Sequence, residues 1–427
     1  MTRHVVLALL LALCTLPAAA EFRAACVQVD ITPDTPQWLH GYAPRQSTGV
    51  HDRIYHRIAA LDDGETTFYL VATDCCTISP SYYDAMTRQL EAETGITPAQ
   101  IWWSTTHTHS APHVGPQDLG QLFGGTLGDR FSITHDTAYW DRVTRALIEG
   151  VKEARAKLEP ARLGVGIGEA RANINRRELR DGQIVLGENP EGPVDRQLGL
   201  IRLERSDGSP IGLIANYAIH GTCLHGGNTQ ISGDAPGWVS QYVEAKLGVP
   251  LLFVNGAEGN VAPFPTVGND ITDPRIKSFE STLGDPILAL NASIQECASD
   301  VSLRLSQTNI VTPRKEGLGW IDELADYARV VDGVDHVRIP IRGLVINGDT
   351  AIWAAPLELF SEIAMNIREA SPFARTMYFG LTNGSLLYLP TKAAFAEGGY
   401  EPNVSPFREQ AEEDFTSGVS AWLTGLK

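Results

Sequence analysis

Short apolar runs of strand length recur along most of the chain, bounded by Gly, Pro, Asn or Asp, and alternate with longer segments whose apolar residues follow helical spacing. Strands are expected near 25–32, 58–61 and 67–73, then a helix over about 81–93 with Pro80 at its start. A strand near 101–106 leads to a long amphipathic helix over about 137–158 that stops before Pro160. Strands near 162–168, 198–203 and 212–219 precede a helix near 236–247. The apolar run 250–254 reads as a buried strand closed by the turn Asn255-Gly256. A helix over 274–298 follows, then strands near 301–305, 337–346 and 350–355, a helix near 359–370, a strand near 376–381 and a helix over 406–426. Such a mixture predicts an α/β (α+β layered) architecture, with mixed β-sheets flanked by helices. No linker, charge block or repeat interrupts residues 21–427, so a single large domain is expected there.

Residues 1–20 break that pattern. Arg3, the apolar stretch Val5 to Leu16 and Ala18-Ala19-Ala20 have the order of an export signal, too short to span a membrane. The mature protein is therefore expected to be secreted or periplasmic. The formal net charge of −17 disfavours nucleic acid, whose phosphates need a basic surface. Beyond Cys14 in the leader, Cys26, Cys75, Cys76, Cys223 and Cys297 are odd in number and irregular in spacing. They form no disulfide framework. At most one or two bridges are expected, and none between the adjacent Cys75 and Cys76, which face opposite ways on a strand.

Candidate chemistry concentrates where strands end. In Ser104-Thr-Thr-His107-Thr-His109-Ser-Ala-Pro-His113 two histidines at i, i+2 project to the same side of an extended strand end, and imidazole is the commonest ligand of zinc. A second patch, Asn216-Tyr-Ala-Ile-His220-Gly-Thr-Cys-Leu-His225, has the same form. Any one of these histidines alone reads as a packed core residue; two strand-end clusters in one chain point to a metal. Three further segments deliver polar residues into loops: Val254 to Pro263, Pro356-Leu-Glu358-Leu-Phe, and the block from Tyr388 to Tyr400. Glu358 equally suits a helix N-terminus, and both tyrosines equally suit packing.

Read together, these segments resemble the neutral/alkaline (non-lysosomal) ceramidase family over almost the whole mature chain. The resemblance is carried by Val29-Asp-Ile-Thr-Pro33, Gly49 to Arg57, Thr-His-Thr-His-Ser, Asn173-Ile-Asn-Arg176, Ile219-His-Gly-Thr222, Ile231-Ser-Gly-Asp234, the 254–263 loop and the Tyr388 to Tyr400 block, all in order. It implies an amidohydrolase with one Zn2+ held by His107, His220, Glu358 and Tyr388. His109 and Tyr400 would contact the substrate amide oxygen, and Arg176 would lie beside the pocket. A zinc-activated water would attack the amide carbonyl, with His109 passing a proton to the leaving amine. Asp52 and Asp234 are open between supporting the site and capping loops.

The chain departs from the family pattern in three places. Gly259-Asn260-Val261-Ala262-Pro263 stands where ceramide-cleaving members carry Gly-Asp-Val-Ser-Pro, which excludes a serine nucleophile there and leaves a zinc-hydroxide route. Ser110-Ala-Pro-His113 replaces the usual Ser-Gly-Pro. No room is expected after Tyr400 for the C-terminal immunoglobulin-like domain. The expected substrate is a lipid N-acyl amide, most directly ceramide, with transient membrane-surface contact. A smaller acyl ester or amide, or ligand binding without turnover, are the alternatives. Leu119 to Phe131, with Leu122, Phe123 and Leu127 among glycines, reads as a lid or a plain surface loop. Nothing in the sequence fixes the oligomeric state.

Overall fold

The structure is a computed structural model that describes residues 21–116, 136–264, 276, 278–316 and 322–427. The expected leader with Cys14, and the expected lid from Leu119 to Phe131, lie outside the described residues.

Three sheets share one central core. The first runs in the order Ile101–Thr105, Thr67–Thr73, Tyr55–Asp62, Arg23–Asp30 and Glu159–Pro160. A second is ordered Leu251–Asn255, Pro210–Tyr217, Gln197–Glu204, Arg162–Glu169. The third is ordered Leu303–Pro313, Val334–Ile346, Thr350–Ala354, Arg375–Phe379. Neighbouring strand residues point to opposite faces, and the consecutive tryptophans show the result. Trp102 packs in the core shared by the sheets, with Phe68, Leu203, Ile352 and Phe379. Trp103 packs instead in the core that includes Val143 and Leu147 of the helix Thr137–Ala156 and Tyr83 of the helix Pro80–Thr94. Both rings are almost fully buried, so the sheet lies between apolar layers on both faces and its strands read as continuous apolar runs. Helices Asp234–Leu247 and Phe279–Ser293 cover the second sheet through Val239, Val243, Phe279 and Leu283. Helices Ser361–Glu369 and Ala411–Leu426 cover the third through Ile363, Ile367, Phe415 and Val419. Each of these large side chains contributes about 1.5–3 kcal/mol on burial. The layered mixed-sheet architecture agrees with the expectation.

Boundaries differ where the physical signal was weak. Of the helix expected over 274–298, residues 274, 275 and 277 lie outside the described residues and the described helix runs Phe279–Ser293; that expected over 406–426 begins at Ala411, after short helices at Lys392–Glu397 and Tyr400–Val404. The strand expected over 301–305 continues to Pro313, because its polar residues alternate between exposed and covered positions against Val334–Ile346. The hairpin Asn173–Arg180 with Gln183–Asn189 was not anticipated as strands; its alternation is masked by charged residues. All five described cysteines are free thiols.

Each large sheet also contains one parallel pair: Thr67–Thr73 with Ile101–Thr105, Pro210–Tyr217 with Leu251–Asn255, and Thr350–Ala354 with Arg375–Phe379. Parallel strands send their C-terminal ends to the same edge, where open α/β sheets bind ligands. His107, His220, Glu258 and Glu358 all follow such ends.

Candidate metal centre

His107 comes two residues after its strand ends, and its backbone is left-handed at φ 64°. That region is sparsely populated by residues other than glycine and marks a site where surrounding contacts impose the conformation. Here the His107 amide donates to the Cys75 carbonyl at 3.0 Å and the His109 amide to the Gly221 carbonyl at 2.9 Å. The expectation that strand alternation aligns the two rings is thus corrected. The left-handed turn aims them, and their Nε2 atoms stand 3.3 Å apart. Gly221 is required for this approach: a Cβ there would meet the His107 carbonyl oxygen at 2.5 Å.

Glu358 arrives on a two-residue strand paired in register with Tyr388, so hydrogen bonding along the backbone sets these two side chains side by side. It does not serve as a helix cap; the following helix starts at Ser361. Gly259 lets the 254–263 loop press on this strand, since a Cβ would lie 2.5 Å from the Glu358 carbonyl oxygen.

The ring nitrogens have assigned duties. His107 Nδ1 lies 2.9 Å from the Cys76 carbonyl oxygen, and His220 Nδ1 lies 2.8 Å from that of Glu258 and 3.0 Å from that of Val261. A carbonyl only accepts, so both Nδ1 atoms carry the proton and both Nε2 atoms present lone pairs. Both lone pairs face one oxygen, Glu358 Oε2, at 3.2 Å each. That oxygen is buried and receives no hydrogen bond. Two imidazole nitrogens and a carboxylate oxygen converging at one point need a cation among them, either a proton on His107, whose pKa is raised well above the ordinary histidine value, or a metal ion that replaces it. Tyr388 Oη approaches His220 Nε2 at 3.4 Å, with the two rings parallel within 3°. Zinc bound at about 2.0–2.1 Å in a tetrahedron sets its ligand atoms about 3.3 Å apart, so these separations fit such an ion without rearrangement.

Electrostatics follow from burial and these neighbours. Burial disfavours ionised Glu358, but positive charge on the facing His107 outweighs it and holds the carboxyl well below the usual carboxylate range; against burial, Cys76 and Glu358 in turn raise His107 well above the ordinary histidine value. Burial, together with the Arg176 guanidinium, lowers His220 to about 3. Burial and the neighbouring His107 and His220 push His109 well below the ordinary histidine value. His109 therefore stands neutral, with one N–H to give and one ring nitrogen free to accept a proton.

Arg176 packs its guanidinium 5.5 Å from the centre of the Tyr388 ring and donates to Glu401 at 2.8 Å. Glu401 is wholly buried and also accepts from Arg177 at 2.8 Å, anchoring the short helix that begins at Tyr400. Tyr400 meets the Tyr388 ring edge-on at 5.7 Å and is 41% exposed, the most open of the expected site residues. All seven expected side chains are thus joined by direct contacts, with Arg176 and Tyr400 reached through Tyr388.

The two undecided carboxylates are caps. Asp52 accepts from Ser232 Oγ, from the Gly233 amide at 2.8 Å and from Trp238 Nε1 at 2.9 Å; Asp234 accepts from the amides of Cys223, Leu224 and Ala235. Asn260 bridges the Ser361 amide and Glu362, and Ala262 pairs with Ile174 in the sheet. Sequence reasoning gave no role to Glu401 or to the Cys76, Glu258 and Val261 carbonyls. Of these only Glu401 carried a signal, a charged residue beside Tyr400 in an otherwise small-residue turn.

The class is defined first by the fold. The crystal structure of neutral ceramidase from Pseudomonas aeruginosa superposes with a TM-score of 0.76 at 17% identity, covering 96% of this chain and 75% of that one. The family described as neutral/alkaline non-lysosomal ceramidase, N-terminal, matches residues 22–282, and the chain belongs to that family. Similar sequences include neutral ceramidase B of Dictyostelium discoideum, 29% identical over 53% of this chain, and the Pseudomonas aeruginosa enzyme, 26% identical over 58%. The chain covers 33% and 38% of the lengths of those two relatives.

Proposed function

We propose that residues 21–427 form a secreted or periplasmic zinc-dependent amidohydrolase that cleaves N-acyl amides of the ceramide kind into an amine and a fatty acid. The observation that carries this reading is the convergence of His107 Nε2, His220 Nε2 and Glu358 Oε2, each nitrogen 3.2 Å from that oxygen and all three buried, completed by Tyr388 Oη. Zinc bound there would supply a Lewis acid and a water of lowered pKa.

The chain's own residues supply the rest. Gly221, the Cys76 carbonyl and the Glu258 carbonyl fix the ligand rings before any substrate arrives, so little reorganisation is left to the reaction. Neutral His109 donates its N–H toward the substrate carbonyl oxygen, and Tyr400, open to the approaching substrate, donates a second hydrogen bond to the same oxygen. Arg176 holds Tyr388 through its ring face and lowers the cost of negative charge on that phenol. As water attacks, neutral His109 takes one of its protons on the free ring nitrogen, and as the carbon–nitrogen bond breaks it delivers that proton to the leaving amine, returning to its neutral form.

A second reading keeps the ion and changes the substrate to a smaller or more polar acyl compound. It is favoured by Asn260 and Ala262, which are committed to backbone and sheet contacts and offer no hydroxyl to a substrate. The test is metal content by mass spectrometry, with turnover of an N-acyl amide panel that includes ceramide, before and after chelation and after zinc is restored. One zinc per chain and restored amide cleavage are expected. Full turnover in chelated protein would overturn the reading.

A further inference from the structure

Five arginines among the described residues are buried: Arg45, Arg57, Arg176, Arg177 and Arg314. Four have a carboxylate. Arg57 pairs with Asp74 and Glu244, Arg176 and Arg177 share Glu401, and Arg314 pairs with Asp335. Arg45 has none. Its Nε donates to the Asn228 carbonyl at 2.6 Å and its Nη2 to the His109 carbonyl, both uncharged acceptors, while Nη1 is buried without a partner. Asp234 acts on it only at longer range and is already spent on three backbone amides. A buried cation without a counter-ion is costly, and arginine cannot escape by losing its proton.

The surroundings tie this cation to the metal centre. The Tyr42 ring lies between, 5.0 Å from the Arg45 guanidinium and 4.8 Å from the His109 ring. His40, on the same segment, hydrogen-bonds its amide to the Ala111 carbonyl, and both of its ring nitrogens are buried and unpartnered. Gly41, at φ 95°, brings this segment onto His109, where a Cβ would strike the ring at 2.4 Å. A guanidinium with one unpartnered nitrogen therefore lies one aromatic ring away from His109, and the unpartnered His40 ring belongs to the segment that packs against it.

We propose that Arg45, with His40, forms a subsite for a carboxylate carried on the amine side of the substrate, so that the enzyme accepts N-acyl amino acids. The proposal rests on the amidohydrolase reading above, and it narrows the N-acyl amides to those bearing an anion, a group the sphingoid part of ceramide lacks. A planar carboxylate matches the guanidinium fork and supplies the missing charge.

Equilibrium binding to the full-length, chelated protein tests this without turnover. The probes are an N-acylglycine, the N-acylethanolamine of the same chain length, and the free fatty acid. Wild type should bind the N-acylglycine about thirtyfold more tightly than the N-acylethanolamine, as one charge-assisted pair allows. Arg45→Met should erase that preference, Arg45→Lys should keep part of it, and His40→Leu should reduce it. Equal wild-type affinity for the two amides overturns the proposal. So does a folded Arg45→Met protein that keeps the preference, or an Arg45 dependence confined to the free fatty acid. Should Arg45→Met fail to fold, the Arg45→Lys and His40→Leu ratios decide. Absence of amide cleavage in zinc-loaded wild type would sink the amidohydrolase reading and leave the binding preference standing.

Discussion

Two buried polar clusters lie at the edge of the first sheet, and they are built on opposite rules. Around Arg57 the groups are matched: the guanidinium donates to Asp74 at 2.8 Å and to Glu244 at 2.6 Å, and Asp74 also accepts from the Tyr55 amide. Around Glu358 they are mismatched, with no fixed cation supplied: two imidazole Nε2 atoms each face one carboxylate oxygen at 3.2 Å, and the gap takes a proton or a metal ion. Arg57 and Asp74 in the first and all three groups of the second are almost fully buried, with only Glu244 reaching solvent. A matched cluster is complete as a structural element; a mismatched one is complete only with something added. The contrast separates scaffold from chemistry more sharply than burial or charge does.

Removing one partner from each cluster should break the comparison in different ways. His107→Ala deletes a lone pair from the mismatched set. Zinc content should fall from about one per chain toward zero and amide turnover by more than about a thousandfold, while the left-handed backbone at 107 gains no relief, since alanine also carries a Cβ. Metal analysis beside a thermal melt reads both; full metal content in the variant would mean His107 is not a ligand. Arg57→Met acts oppositely, leaving two carboxylates buried without their cation. Stability in urea should drop by about 3–5 kcal/mol, with zinc per folded molecule unchanged.

His56 sharpens the matched side through pH. It is wholly buried, with Nδ1 2.7 Å from Thr73 Oγ1 and Nε2 3.0 Å from the Val143 carbonyl oxygen, and burial lowers its pKa to about 4. The folded state keeps it neutral while the unfolded chain protonates near 6.5. Its contribution is therefore fully present above pH 6.5 and lost as pH falls toward 4, by about 3 kcal/mol in all. Urea melts of wild type and His56→Gln between pH 7.5 and 4.5 should show a shallower slope for the variant; parallel slopes would remove His56 as the cause.

What was legible in advance follows the same division. The apolar runs located the strands and helices because burial on both faces leaves an unbroken hydrophobic signal, as at Ile101-Trp102-Trp103. The histidine pairs were legible because they sit at the ends of those runs, and Glu358, Tyr388 and Arg176 through the order of motifs shared with a family. The way His107 is aimed was not legible. A left-handed turn held by the Cys75 and Gly221 carbonyls depends on contacts with chain more than a hundred residues away in the second case, and nothing local encodes it. The unpaired state of Arg45 was equally hidden, since a missing partner has no sequence signature. Hairpin 173–189 escaped because charged residues interrupt its alternation.

Tyr400 tests the comparison at its weakest contact. Its ring touches Tyr388, but at 41% exposure it belongs to neither buried cluster, and its proposed duty is one hydrogen bond to the substrate oxygen. A buried donor of that kind is worth about a hundred- to a thousandfold in turnover. The residue is open, but burial pushes its phenol up to about 12, so little water replaces the hydroxyl and Tyr400→Phe should cost about a hundredfold in kcat, with zinc content unchanged. KM should move little, because the bond strengthens as charge grows on the oxygen rather than on binding. A rise in KM at constant kcat would instead place Tyr400 in ground-state recognition. Loss of zinc would bring it into the metal set beside Tyr388.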